Sequence, residues 1–125
     1  MKMKKATTVL VVDAVEPSLE FWRERLGFAV TIEVPFEDKL GFVALQKDDV
    51  EIMVQTRASV RSDMAGAASA GGAAFVYIEV DDIDAIIRKL DGHPVTVPRR
   101  KSFYGADEIA YREPGGHFVC FARHG

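Results

Sequence analysis

Apolar positions along this chain follow two periods. TTVLVVD, Thr7 to Asp13, alternates with β-branched residues as a strand does. After it Val15, Leu19, Trp22 and Leu26 recur at steps of four, three and four, the stripe of an amphipathic helix, with Pro17 where a first turn tolerates it and Gly27 as its end. FAVTIEVP, GFVALQ and VEIMVQT read as three further strands, the last two joined by a turn at Lys47 to Asp49. RASVRSDMAGAASAGG, Arg57 to Gly72, has almost no large apolar side chains and is predicted to be a linker or mobile flap. The opening pattern then returns. AFVYIEVDD is a strand, and Ile83, Ile86, Ile87 and Leu90 stripe a helix capped by Asp82 that stops near Gly92. PVTVP, a stretch around Ile109 to Arg112, and HFVCFAR are the last three strands.

The second half therefore repeats the first. Val12 before Asp13 matches Val80 before Asp81, Leu26 and Gly27 match Leu90 and Gly92, and the turn residue Asp49 matches Gly116, all at nearly the same separation. Strand alternation sorts the side chains into two faces. Leu10, Val12, Val50, Ile52, Val54, Val76, Ile78, Val80, Val119 and Phe121 share a parity with Thr8 and His117, an apolar face for the helices to cover. Thr7, Val9, Val11, Asp13, Glu51, Met53, Gln55, Phe75, Tyr77, Glu79, Phe118, Cys120 and Ala122 share the other. That mixed face, aromatic with a few polar groups, suits a ligand-binding surface better than a dry core.

Composition narrows the classes. A chain of 125 residues that is 48% hydrophobic and 28% charged is expected to form one globular domain with a core of its own. A net charge of −3 without a long basic run gives no footprint for nucleic acid or an anionic membrane. MKMKK is basic, but the apolar run Val9 to Val12 is too short for a signal-peptide core, and no run is long enough to span a membrane. The single cysteine excludes an internal disulfide, which makes a reducing, cytoplasmic setting the default.

EPGGHFVCF, Glu113 to Phe121, gathers three metal-binding residue types. Only Cys120 has the helix-free parity. His117 faces the helices, Glu113 lies in the turn before the strand, and His93 and His124 are expected to be solvated.

VVDAVEPSLEFWRERLGF and YREPGGHFVCF resemble the two signatures of the vicinal oxygen chelate superfamily, which includes glyoxalase I, extradiol dioxygenases, fosfomycin resistance proteins and bleomycin resistance proteins. The likeness covers nearly the whole chain apart from the linker. Glu113-Pro114-Gly115-Gly116 stands where that family commonly reads Asp-Pro-x-Gly. The resemblance implies an α+β fold of two βαβββ modules, about 5–56 and 73–124 around a linker at 57–72, whose curved sheets form a cleft often completed across a homodimer.

Enzymatic members of that family hold a divalent metal with one ligand from each of four strands, which stabilises charge on vicinal oxygens. Carried onto this chain, the ligand positions fall on Thr7, Met53 (or Glu51, one alternation away), Phe75 and Cys120. Thr, Met, Phe and Cys do not form a site for such a cation, so no metal and no other cofactor is expected. Cys120 as a nucleophile would need a base, and no histidine faces it in the assigned strands. Glu51 and Glu79 could serve as acid and base if apolar surroundings raised a carboxylate's pKa. No phosphate loop is present.

The remaining reading is binding. Phe75, Tyr77, Met53 and Phe118 give a polarisable floor beside Cys120, Glu51 and Glu79 add negative charge, and Tyr104 is placed to close the pocket. Such a face favours a flat or cationic organic molecule. By resemblance the expected function is sequestration of a compound such as an antibiotic by a metal-free homodimer. The alternative is a metal-dependent lyase, isomerase or dioxygenase with a rebuilt site.

Overall fold

The computed structural model describes residues 1–67 and 69–125. Two sheets of four strands follow one plan. In the first, β1 (Thr8–Val12) runs parallel to β4 (Val50–Thr56), which is antiparallel to β3 (Lys39–Lys47), and β2 (Ala29–Phe36) closes the far edge. In the second, β5 (Phe75–Glu79) is parallel to β8 (Phe118–Arg123), followed by β7 (Asp107–Arg112) and β6 (Val95–Lys101). A parallel neighbour needs a crossover, and the helix after β1 or β5 begins it. The fold is α+β, built from two βαβββ units.

The first helix, α1, begins at Glu16–Leu19 and widens into a π-type turn over Glu20–Arg25. The Leu26 amide bonds Phe21 O at 3.1 Å, five residues back, and Gly27 at φ +83° turns the chain into β2. Phe21 and Trp22 of this turn are both fully buried. The segment expected to be a linker opens instead as a second helix, α2 (Arg57–Asp63). Thr56 Oγ1 accepts from the Ser59 amide at 3.1 Å, Val60 is buried, and Arg57 ties Asp13 and the Gly71 carbonyl. Ala68 of the same stretch lies outside the described residues. The third helix, α3 (Ile83–Lys89), has the Asp82 cap, whose Oδ1 accepts from the Ala85 amide at 3.0 Å.

One apolar cluster joins both halves. It includes Leu10, Val12, Ile52 and Val54 of the first sheet, Ile78, Val119 and Phe121 of the second, and Trp22, Ile86 and Leu90 from the helical segments. The predicted helix-covered parity is the more buried one, although Thr8 at the strand start is exposed, Val50 and Val80 are half-buried, and Val11, Cys120 and Ala122 of the other parity are buried too. Polar ties also cross the junction. Arg25 donates to Asp91 O at 3.0 Å, and buried His117 bridges Val11 O at 2.9 Å and the Ala74 amide at 2.9 Å. An amide only donates and a carbonyl only accepts, so His117 is the neutral Nε2–H tautomer. Among the described residues, no helix is long and apolar enough to cross a membrane.

Candidate functional site

The helix-free face of the second sheet is aromatic. The register sets Phe75 beside Phe118 and Tyr77 beside Cys120, and then Cys120 beside Ala110 and Ala122 beside Glu108 on β7. Phe75 is 68% exposed and Tyr77 43%, while Phe118 is half-buried and Cys120 buried. Arg112 lies over the Phe118 ring, 5.8 Å from its centroid. A cavity of about 40 Å³ among Phe75, Val97, Arg100, Glu108, Ala110 and Cys120 has room for water rather than an organic molecule. The open aromatic surface above it is the available platform.

A polar chain borders that platform. Arg100 pairs with Glu108 at 2.8 Å, Tyr104 Oη donates to Glu108 Oε2 at 2.7 Å, and Tyr104 Oη and Tyr77 Oη are 3.2 Å apart. Tyr77 Oη in turn meets His124 Nε2 at 2.7 Å. Each phenol has one proton and the carboxylate only accepts, so full pairing has His124 donating to Tyr77, Tyr77 to Tyr104, and Tyr104 to Glu108. The Glu108 carboxylate, then Tyr77, then burial hold the Tyr104 phenol well above its ordinary range. Burial first, and the Glu108 charge second, push the Cys120 thiol up against an opposing contribution from Arg100. Cys120 is thus kept as a thiol.

The first sheet is plainer. Thr7 donates to Glu51 Oε1 at 3.1 Å, and Lys5 forms an ion pair with the same oxygen at 2.6 Å. The Lys5 hydrogen bond and then the Thr7 hydroxyl hold the Glu51 carboxyl below the ordinary glutamate range. On this face Gln46 pairs with Glu51 and Ala44 with Met53, and half-buried Phe42 lies farther along beside Gln55.

Residues 5–121 match the sequence model of the Glyoxalase/Bleomycin resistance protein/Dioxygenase superfamily. The chain belongs to that superfamily. Solved structures with this glyoxalase-type fold include a glyoxalase/bleomycin resistance protein/dioxygenase from Nocardioides, 20% identical with a TM-score of 0.78, covering 98% of this chain and 84% of that one. Lactoylglutathione lyase from Agrobacterium tumefaciens is 18% identical, with a TM-score of 0.77 and coverage of 98% and 95%. The bleomycin-binding protein of Streptomyces verticillus, complexed with copper(II)-bleomycin, is 21% identical, with a TM-score of 0.68 and coverage of 100% and 99%. At these identities the likeness is one of fold. By sequence, no curated protein matches the chain.

The superfamily's metal chemistry can be tested against the side chains themselves. At the four ligand positions, Phe75 offers no donor, the Thr7 hydroxyl donates to Glu51, and Met53 and the protonated Cys120 suit soft rather than hard cations. Glu51, the substitute for Met53, is already engaged by Lys5. Among the described residues, no three of His, Cys, Asp and Glu converge. The donor set does not fit a catalytic divalent ion.

Several sequence expectations need correction. The condition under which Glu51 could serve as an acid or base, a raised pKa, is not met: its value is lowered, because Lys5 and Thr7 stabilise the anion. His124 is not simply solvated, since it contacts Tyr77, and His93 pairs with Glu20 at 3.0 Å with its ring edge-on to Phe21. Glu113 is fully buried, accepting from Trp22 Nε1 at 3.0 Å and from the Gly115 amide. Of the expected site residues, Phe75, Tyr77, Phe118 and Cys120 share the second sheet and Tyr104 joins them from the loop between β6 and β7, while Glu51 and Met53 belong to the first. Arg100, Glu108 and His124 were missed. Parity alone points to His124, the next step after Phe118, Cys120 and Ala122.

Proposed function

We propose that this superfamily member is a metal-independent binding protein that holds a flat organic molecule, of which an antibiotic is one kind, on the helix-free face of its second sheet. The observation that carries the reading is the exposed pair Phe75 and Tyr77 beside Phe118, bordered by the polar chain that ends on Glu108. An exposed aromatic pair offers stacking to a planar partner, and the tyrosine hydroxyls can fix its orientation. Flatness weighs more than positive charge, because Arg100 neutralises Glu108 and Lys5 neutralises Glu51. The Streptomyces verticillus protein, which carries copper(II)-bleomycin on this fold, supports the class of ligand. The reading includes a homodimer, in which a second copy would wall the platform where Phe75 and Phe103 (97% exposed) stand open.

A metal-dependent lyase, isomerase or dioxygenase would need donors that the four ligand positions do not supply. The two readings separate in a thermal-shift panel run with a chelator. A bound ligand raises stability by RT ln(1 + [L]/Kd), about 2.7 kcal/mol at a hundredfold excess over Kd. Planar aromatics are expected to stabilise the protein in chelator, and Phe75→Ala to lose that gain. Stabilisation that needs an added divalent ion, or that survives Phe75→Ala unchanged, would count against the proposal.

A further inference from the structure

The two halves of the fold close differently on the helix side, and the difference opens a second cavity. In one half the turn Glu113 to Gly116 seals against the start of α1. A side chain at Gly115 would collide with Val12 and crowd Ser18 Oγ at 3.3 Å, and Glu113 anchors Trp22. By the internal repeat, Ile86 stands where Trp22 stands, since each precedes its helix-ending leucine by four residues, and Gln46 occupies the place of Glu113. Gln46 does not reach the helix, because its Nε2 donates to Asp48 O at 2.6 Å within its own turn. With the indole and its anchor both gone, a crevice of about 540 Å³ remains between the β3–β4 turn and α3.

We infer that this crevice is a binding site for a small organic cation with an apolar body, separate from the aromatic face and independent of the function proposed for it. Its volume lies within the range of small-molecule sites. Its floor is apolar, made by Phe28, Val50, Ile78, Ile86 and Phe121. The rim has Asp48, Asp49, Asp81 and Asp82 against Lys47 and Lys89. No ion pair among the described residues neutralises any of these four carboxylates, and only Asp82 is engaged, as the α3 cap. An apolar floor under an anionic rim selects an amphiphilic cation, whose body leaves water while its ammonium stays at the solvated edge.

Benzylammonium and its neutral counterpart benzyl alcohol test this by methyl NMR of the full chain. Benzylammonium is expected to shift the Ile78 and Ile86 methyls saturably, more tightly than the alcohol. Asp49→Asn and Asp81→Asn are each expected to weaken it by about threefold, as exposed charge pairs do. Ile86→Trp, which restores the bulk found in the other half, is expected to abolish the shifts. If that variant fails to fold, the two Asn variants carry the test. Equal affinity for the alcohol, shifts confined to the face of Tyr77 and Phe118, or sedimentation of a dimer in which these methyls are protected by the second copy would each overturn the inference.

Discussion

Trp22 Nε1 donates to Glu113 Oε2 at 3.0 Å, with both side chains fully buried, which links α1 of the first half to the last turn of the second. Trp22→Phe keeps most of the apolar volume but removes the donor from a buried carboxylate. It is expected to cost about 2–4 kcal/mol, the desolvated acceptor adding to the lost bulk. Denaturant melts should show it. A Glu113→Gln variant keeps one acceptor but turns its NH2 onto the second donor, Trp22 Nε1–H or the Gly115 amide, so it should be destabilised as well.

His117 makes a second tie across the junction, and both of its nitrogens are used. His117→Phe fits the space but leaves the Val11 carbonyl and the Ala74 amide without it. A loss of roughly 2–3 kcal/mol is expected. Hydrogen exchange should report it first at Ala74, whose amide loses its only side-chain acceptor here.

Glu51 carries the acid dependence of the first sheet. Its pKa is lower folded than unfolded, so its contribution is fully present above the ordinary glutamate range and lost as pH falls through the lowered value. Removing either partner, by Lys5→Ala or Thr7→Val, should raise the Glu51 titration midpoint seen by NMR, with the larger rise from Lys5→Ala because Lys5 contributes most.

Cys120 is buried, with its thiol pushed up mainly by desolvation. Alkylation by iodoacetamide should be slow at neutral pH, with a pH–rate midpoint above that of a free cysteine. Fast modification at pH 7 would show an activated thiol and revive a catalytic role for it.

How much of this was legible follows from the physics of each element. The strands and both predicted helices announce themselves because a period of two or of three to four follows directly from which face is buried, and nine of the twelve positions assigned to the helix-covered face are buried. The helix α2 was hidden because it buries only Val60 and so has no stripe to read. The pair Arg100 and Glu108 was hidden for another reason. Strand β7 begins at Asp107, earlier than its apolar residues suggest, and bulges in β6 between Val95 and Arg100 scramble the parity that would have set Arg100 beside Glu108. Glu113 illustrates a third limit, since a buried carboxylate is visible in sequence only once its distant indole partner is known.

Binding of planar molecules to the second sheet without a metal is read out by NMR mapping on chelator-treated protein. Titration with 2-naphthol, flat and hydroxylated, should shift the resonances of Phe75, Tyr77, Tyr104 and Phe118 together and saturably, with no change when a divalent ion is restored. Shifts that appear only with the ion, or that centre on Glu51 and the first sheet, would contradict it.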